Sequence, residues 1–481
     1  MPEAIHDKDL LTAAAVVLNR HAELLSDLGA RFDAAGYQLY LVGGSVRDAM
    51  LSRSSPDLDF TTDAHPDQVQ AMMRGWADAL WDTGIEFGTV GVGRAGNRLE
   101  ITTFRADRYD QVSRNPEVRF GGSLEGDLAR RDFTVNAMAV RVTGAGPGEF
   151  LDPLGGLAAL RAGVLDTPAA PEESFGDDPL RMLRAARFVA QLGLTVAPRV
   201  QVAITEMAPQ LSRITAERIS AELDKLLLGA DPVAGIDLMV ASGMGEVVAP
   251  EIGGMRMAID EHHQHKDVYQ HSLTVLRQAI DLEGPDGPDL VLRWAALLHD
   301  IGKPATRRHE AEGGVSFHHH EVVGAKLVRQ RMRTLRYSKQ MIDDVSQLVY
   351  LHLRFHGYGG GKWTDSAVRR YVTDAGPLVG RLHKLVRADC TTRNKRRAAR
   401  LQASYDQLEA RITALAAHED LQRVRPDLDG NEIMGLLGIP PGPQVGRAWS
   451  FLKELRLERG PLSREEATAE LLTWWETTRN R

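Results

Sequence analysis

The residues best suited to chemistry in this chain begin with Asp57 and Asp59, spaced i and i+2 in the segment DLDF. On a strand that spacing turns both side chains to one face, setting two hard oxygen ligands side by side as a phosphate-bridging Mg²⁺ site requires. Just upstream the apolar run Leu39-Tyr40-Leu41-Val42 breaks into Gly43-Gly44-Ser45, and Arg47-Asp48 opens a short helix. Adjacent glycines leave backbone N–H groups unobstructed, which suits a triphosphate. Asp-x-Asp alone is commonly a solvated strand edge, and Gly-Gly alone a turn. Their conjunction in one β-turn-α-β unit points to nucleotidyl transfer.

Further candidates follow in chain order. Glu100 lies in an alternating, strand-like run and is either a third carboxylate ligand or an exposed strand glutamate. Residues 105–120 are polar and poorly periodic, the pattern of a loop that orders over substrate. Arg130-Arg131-Asp132, with Asn136 beyond, is expected at a strand or helix start. Guanidiniums suit phosphate oxygens, while Asp132 and Asn136 suit a ribose; a capped helix with a salt bridge reads equally from the same residues. Asp178-Pro179 reads as a helix start with Arg181 at i+3, Asp178 as N-cap and Pro179 in the first turn. The sharper reading gives Asp178 and Arg181 to a base edge, with Arg184 and Arg187 continuing a basic stripe.

A second constellation is spread over helical sequence: His271, His299-Asp300, His320 and Asp389. Imidazole and carboxylate together suit a divalent transition metal better than Mg²⁺. His299-Asp300 closes an apolar helix expected over 290–300, which Gly302 and Pro304 terminate. His320 and His352 could supply a second metal, whereas His262, His263, His265, His318 and His319 read as solvated loop residues.

The elements that must position these groups change character along the chain. At 481 residues it is too long for one core, and about 150 residues per domain gives three or more domains. Short β-like runs at 38–42, 58–61, 89–92, 98–104 and 135–140 alternate with helical stretches, and turns at 144–148 and 152–156 close that region. From about residue 164 helical periodicity dominates. Joints are expected near 167–173, 253–265, 357–364 and 423–431. No run approaches the roughly 20 apolar residues of a membrane span, and no secretory leader is evident. The single cysteine, Cys390, excludes an internal disulfide, so a reducing cytoplasm is expected. A net charge of −7 gives no global pull on nucleic acid, so RNA binding falls to local basic faces. One such run, Arg381, Lys384, Arg387, Arg393, Lys395, Arg396, Arg397 and Arg400, is opposed within its stretch only by Asp389. The turn 435–446 is either a connector or a phosphate-facing N–H cluster.

GGSVRD, DLDF, RRDFTVNAMA, DPLGGLAALRAGVLDT, DDPLRMLRAARFVA and ERISAELDKLLLG, in this order, resemble the successive motifs of class II tRNA nucleotidyltransferases, the CCA-adding enzymes with cousins among bacterial poly(A) polymerases. The resemblance is dense over residues 35–230. It implies an α+β multidomain chain: a polymerase-β-like nucleotidyltransferase α/β head, then an all-α neck, body, HD domain and tail. The boundaries expected are 1–28 for a helical extension, 29–163 head, 164–260 neck and body, 261–395 HD domain and 396–481 tail, the last binding tRNA.

By that resemblance Asp57 and Asp59 hold Mg²⁺, while Gly43, Gly44, Ser45 and Arg47 contact triphosphate. Arg131, Asp132 and Asn136 sense ribose. Asp178 and Arg181 template CTP or ATP, and Glu217, Arg218 and Glu222 support the template helix. Asp177 stands where the family usually has Glu. The H…HD…D pattern resembles the HD phosphohydrolases, implying a divalent-metal site. The implied partners are the tRNA 3′ acceptor end, CTP and ATP, with no membrane. The implied reaction is template-independent CCA addition by two-metal transfer, with possible phosphate removal at RNA 3′ ends. A poly(A) polymerase, a CC-only or A-only enzyme, and a phosphohydrolase with a nucleotide-binding head remain alternatives.

Overall fold

The computed structural model describes residues 6–55, 57–82, 84–105, 122–256, 267–285, 287–310, 315–357, 364–391, 394–421 and 424–478. Most of the 105–120 loop, His262, His263, His265, Arg393 and the side chain of Arg397 lie outside the described residues. The chain divides into two compact units, Met1–Val248 and Ala249–Arg481. Among the described residues no helix is long and apolar enough to cross a membrane.

The first unit opens with α1 (Asp7–Asn19) and α2 (Ala22–Ala35), and Gly36 ends α2 in the left-handed region at φ 78°. β1 (Leu39–Val42), α3 (Gly44–Met50), β2 (Asp57–Thr62), α4 (Pro66–Met73), β3 (Ala79–Trp81), β4 (Thr89–Arg94) and β5 (Asn97–Thr103) follow. Next come α5 (Leu124–Ala129), β6 (Ala139–Thr143) and β7 (Gly146–Leu151). These strands make one sheet in the order β3-β4-β5-β2-β1-β6-β7. All four β1 residues are buried, as an interior strand of apolar residues must be. β2 turns Leu58 and Phe60 into the core and Asp57 and Asp59 to the other face, and its parallel register with β5 sets Asp59 opposite Glu100.

Two local expectations fail here. The run 135–140 is not one strand, because Thr134–Asn136 form a 3₁₀ turn and β6 starts at Ala139. Asp132 Oδ1 accepts from Phe133 N at 2.8 Å and Asn136 Nδ2 at 2.9 Å, a local alternative to ladder bonding. Arg130 and Arg131 follow the end of α5 rather than a helix start, where their charge complements the helix dipole.

The helices beyond the sheet are α6 (Gly156–Ala162), α7 (Pro171–Asp177), α8 (Leu180–Leu192), α9 (Pro198–Met207), α10 (Ala216–Leu227), α11 (Pro232–Ala241) and α12 (Met244–Val248). α8 packs on α10 and α11. Phe188 on α8 meets Phe133 edge-to-face, with centroids 5.7 Å apart, fixing α8 against the sheet region. Such a pair contributes about 0.5–1.5 kcal/mol beyond burial. Phe133→Ala, at a fully buried position, should cost about 3–5 kcal/mol and loosen that seat.

Among the described residues, the second unit's secondary structure is helical apart from a two-residue β-ladder. Its helices are α13 (Pro250–Gly254), α14 (Val268–Asp281), α15 (Leu290–Leu298), α16 (Lys303–Thr306), α17 (His320–Thr334), α18 (Lys339–Leu351) and α19 (Arg354–Gly357). They continue as α20 (Asp365–Ala375), α21 (Val379–Ala388), α22 (Lys395–Ala416), α23 (Gly430–Leu437), α24 (Pro443–Arg459) and α25 (Arg464–Thr478). α14 packs on α15 and α21, and α17 on α18. Leu428, Ile433, Ala448, Leu452, Ala467 and Leu471 form a separate small core among α23, α24 and α25. The basic run is partly neutralised: Arg381 pairs with Asp289 at 2.7 Å and Arg387 with Asp406 at 2.7 Å. Lys395, Arg396 and Arg400 are exposed on the first half of α22.

Candidate functional site

In the first unit β1 ends at Gly43, whose φ of 69° an L side chain rarely adopts. A Cβ there would stand 2.9 Å from Arg131 Nη1, the end of a flexible side chain that can shift, so the backbone and not the space calls for glycine. The turn opens on a cavity of about 280 Å³ lined by Gly43, Gly44, Arg47, Asp59, Arg131 and Asp132 and, from α8, by Arg184, Arg187, Phe188 and Gln191, with Asn136 between. Ser45 Oγ accepts from Asp59 N at 2.9 Å, tying the turn to the carboxylate strand. Burial raises the Asp59 pKa, the nearby Glu100 and Asp57 charges raise it further, and Arg131 and Arg47 oppose them. Three carboxylates at adjacent register positions suit a hard divalent cation, and β2 and β5 place Asp57, Asp59 and Glu100 so. Glu100 also accepts from Arg98 Nη2 at 2.9 Å.

Arginine hydrogen bonds to an amide and a carboxylate brace the far wall. Arg47 Nη1 donates to Asn136 Oδ1 at 2.5 Å, and Arg184 Nε donates to Asp132 Oδ2 at 2.8 Å. Burial disfavours the Asp132 anion, yet Arg184 and the Asn136 hydrogen bond hold its pKa well below the usual carboxylate range. Behind them Glu222, 4% exposed on α10, accepts through Oε1 from Arg187 Nη1 at 3.3 Å, its Oε2 lying 3.1 Å from the same nitrogen. Arg187 is pushed down to about 10, first by burial and then by the Arg184 charge. The guanidiniums of Arg47, Arg184 and Arg187 lie within 5.1, 5.6 and 4.3 Å of the Phe188 ring centroid.

Asp178 and Arg181 do not pair with each other, contrary to the i+3 expectation. α8 begins at Leu180, whose N–H donates to Asp178 Oδ1 at 3.1 Å, and Arg218 Nη2 donates to Asp178 Oδ2 at 2.7 Å. Arg181 instead donates to Ser174 Oγ and to the Arg130 carbonyl, both at 2.8 Å. Sequence reasoning missed Phe188 and Gln191, although both share the α8 face of Arg184 and Arg187 at helical spacing. It also missed the fully buried Asp127, for which no motif gave a signal.

In the second unit His271 comes from α14, His299 caps α15, His320 starts α17, His352 caps α18 and Asp389 caps α21. The expected helix 290–300 ends at Leu298, which leaves His299-Asp300 in the turn. Two groups converge within 4.8 Å: His271, His299 and Asp389, and Asp300, His320 and His352. Asp300 joins them, Oδ2 lying 3.2 Å from His299 Nε2 and Oδ1 3.3 Å from His320 Nε2.

The Nδ1 atoms of His299, His320 and His352 lie 2.9, 2.8 and 2.6 Å from the backbone carbonyls of Ala296, Phe317 and Val349. A ring donating there keeps its Nε2 lone pair for a metal. Yet His299 Nε2 sits 3.2 Å from His271 Nε2, and His320 Nε2 3.3 Å from His352 Nε2. Facing lone pairs repel unless a proton or cation lies between them, so the donor set fits one or two divalent metals. Burial alone would lower His299, but Asp300 and then Asp389 raise it to about 10. Burial and the His299 charge push His352 down to about 4, and Lys303 Nζ lies 2.6 Å from Asp300 Oδ2.

Residues 39–166 match the model of the poly A polymerase head domain, 193–254 that of a probable RNA and SrmB-binding site of polymerase A, and 268–417 that of the HD domain. The A-adding tRNA nucleotidyltransferase of Deinococcus radiodurans is 34% identical over 455 residues, covering 91% of this chain and 96% of the relative. The CCA-adding enzyme of Lactiplantibacillus plantarum is 43% identical over 318 residues, 66% of this chain and 67% of the relative. The Bacillus stearothermophilus CCA-adding enzyme in complex with CTP shares the fold, with a TM-score of 0.67 at 24% identity over 98% of this chain and 99% of that one. Near full-length identity and three family models in order show that the chain belongs to the class II tRNA nucleotidyltransferases, the CCA-adding enzyme family with a C-terminal HD domain, and is an enzyme of the nucleotidyltransferase class.

Proposed function

We propose that this protein adds CCA to the 3′ end of tRNA from CTP and ATP. The observation that carries this is the single cavity joining Gly43, Gly44 and Asp59 to a wall of arginines on α8, with Arg181 one turn from that wall. Asp57 and Asp59 would hold the divalent ions, Mg²⁺ by the hardness of their oxygens, which lower the pKa of the attacking hydroxyl and offset charge on the departing pyrophosphate. Glu100 supports Asp59 from the neighbouring strand. Backbone N–H groups of the Gly43-Gly44 turn, with Arg47 and Arg131, hold the triphosphate. Asp132 and Asn136 meet the ribose, while Arg184 and Arg187 keep the nucleotide against α8. Asp178 and Arg181 read the base edge by exchanging Arg218 and Ser174 for the nucleotide.

The A-only reading is favoured by one finding, the near full-length identity to an enzyme named as A-adding. Sequencing products from tRNA ending at the discriminator base and from tRNA ending in CC, each with CTP and ATP, separates the readings. CCA on both substrates supports the proposal. A on the second alone assigns A-addition, and a long A tract assigns a poly(A) polymerase.

The second unit is proposed to hold a divalent transition metal on His271, His299, Asp300 and Asp389, and a second on Asp300, His320 and His352, for phosphate hydrolysis at RNA 3′ ends. The exposed cations of α22 and the 396–481 tail are proposed to carry tRNA, and the cytoplasm is the proposed compartment.

A further inference from the structure

We propose that Asp127 is a positioning residue for nucleotide selection, holding the base-reading and phosphate-holding arginines in register from behind the site. The proposal rests on the nucleotidyl-transfer reading above. Asp127 is completely buried on α5, and it does not line the nucleotide cavity. Leu124 and Leu128 of the same helix enter the core cluster with Tyr40, Val42 and Phe104, so its seat is set by packing.

Its two oxygens serve different arms. Oδ1 accepts from Arg130 Nε at 3.1 Å and Nη2 at 2.6 Å. Oδ2 accepts from Arg131 Nη2 at 3.1 Å. Through Arg130 the first arm reaches the base side, because the Arg130 carbonyl is the acceptor for Arg181 Nη2 at 2.8 Å. Through Arg131 the second arm reaches the phosphate side: Nη1 lies 2.9 Å from where a Gly43 Cβ would stand. Arg131 is also the charge that most lowers Asp59. A helical i,i+3 or i,i+4 ion pair on a surface contributes little, and no cavity depends on it. Here the carboxylate has no solvent, and although burial opposes its anion, Arg131 and Arg130 hold its pKa below the usual range; Arg131 lines the cavity and the Arg130 carbonyl holds Arg181.

The two arms give separable outcomes. Asp127→Asn keeps the volume, removes the charge and turns an NH2 donor toward one of the two guanidiniums, weakening both arms. The expected result is a triphosphate KM raised about tenfold and a kcat/KM preference for CTP and ATP over UTP and GTP lowered about tenfold. Arg130→Gln keeps the Asp127–Arg131 pair, so it should lower the preference and leave the KM near wild type. Asp127→Glu, which restores the charge, should recover part of both. Thermal midpoints of all three variants identify the folded ones, and Arg130→Gln carries the test if Asp127→Asn does not fold. A folded Asp127→Asn or Arg130→Gln variant with wild-type base preference and a lowered midpoint overturns the positioning role, leaving a structural one. Wild-type protein that incorporates neither CTP nor ATP overturns the functional reading, and this proposal with it.

Discussion

The two candidate centres use carboxylates in opposite ways. In the second unit, imidazoles and carboxylates from several helix ends converge within 4.8 Å, so the protein supplies most of a metal's ligands itself. In the first unit, Asp57, Asp59 and Glu100 are not among the groups that converge this closely, and the cavity beside Asp59 is lined by the guanidiniums of Arg47, Arg131, Arg184 and Arg187. Mg²⁺ is commonly held by one or two carboxylates plus substrate phosphates, so a sparse site is one that its substrate completes. A dense cage of nitrogen and oxygen donors is complete before substrate arrives. The pKa directions agree. Asp59 is raised, first by burial and then by the Glu100 and Asp57 charges, which Arg131 and Arg47 only partly offset, whereas Asp300 is lowered well below the usual range, burial opposing, because His299, His320 and Lys303 surround it.

The sharpest way to break this comparison is at Asp59. Asp59→Asn should reduce nucleotide incorporation by at least about a thousandfold, read as single-turnover extension of tRNA, with tRNA affinity by gel shift unchanged. Residual incorporation within tenfold of wild type would show that the sparse carboxylates are not the ones the substrate completes.

Metal retention tests the other half. Protein dialysed without chelator should keep divalent metal in elemental analysis, and Asp300→Asn should lose most of it while extending tRNA normally. Asp300 faces both ligand groups, so its loss removes a bridge and not a single bond. Dialysed protein that keeps no metal, or an Asp300→Asn variant that keeps all of it, would remove the contrast between a closed and a substrate-completed site.

How much of each centre could be read in advance follows from how locally it is built. Asp57, Asp59 and the Gly43-Gly44 turn lie within one β-turn-α-β unit, so strand alternation and glycine chemistry suffice. His299-Asp300 and the stop at Gly302 are equally local, and the Asp300 bridge between two groups rests on residues already singled out. The failures sit where an arginine chose among distant acceptors. Arg181 was expected on Asp178 three residues away, but it bonds the carbonyl of Arg130, 51 residues earlier. Asp127 carries no motif, and only its depth and its two guanidinium partners mark it. Side chains of five donors have many possible acceptors, and tertiary packing alone selects among them. The run 135–140 failed for a related reason, since Asp132 offered the backbone a turn that strand propensity does not count.

Smaller effects grade the guanidinium wall. Glu222→Gln should raise the KM for both nucleotides by about three- to tenfold with kcat little changed, because Arg187 loses the carboxylate it is paired with while its own contact with the nucleotide remains. An equal loss in kcat would place Arg187 in the transition state and not in ground-state binding.

The mildest test is of stability, and its sign follows from Asp132. The folded pKa of Asp132 lies below its ordinary value of about 3.9, so its contribution is full above that pH and fades as the pH falls through the folded value. Removing one partner of a buried pair costs about 3–5 kcal/mol, and Arg184 is only partly buried, so Asp132→Asn should cost about 2 kcal/mol at pH 7. The urea midpoint of the first unit's unfolding step should therefore be lower in the variant at pH 7, and the gap should narrow below about pH 4 as wild type loses the same charge. A gap that is constant with pH would mean that the variant loses the hydrogen-bond geometry at Phe133 N and Asn136 Nδ2, and that the Asp132 charge facing Arg184 contributes little. In that case the wall of the first centre would be held by backbone turns, as the second centre's imidazoles are held by backbone carbonyls, and the contrast between the two would reduce to ligand number alone.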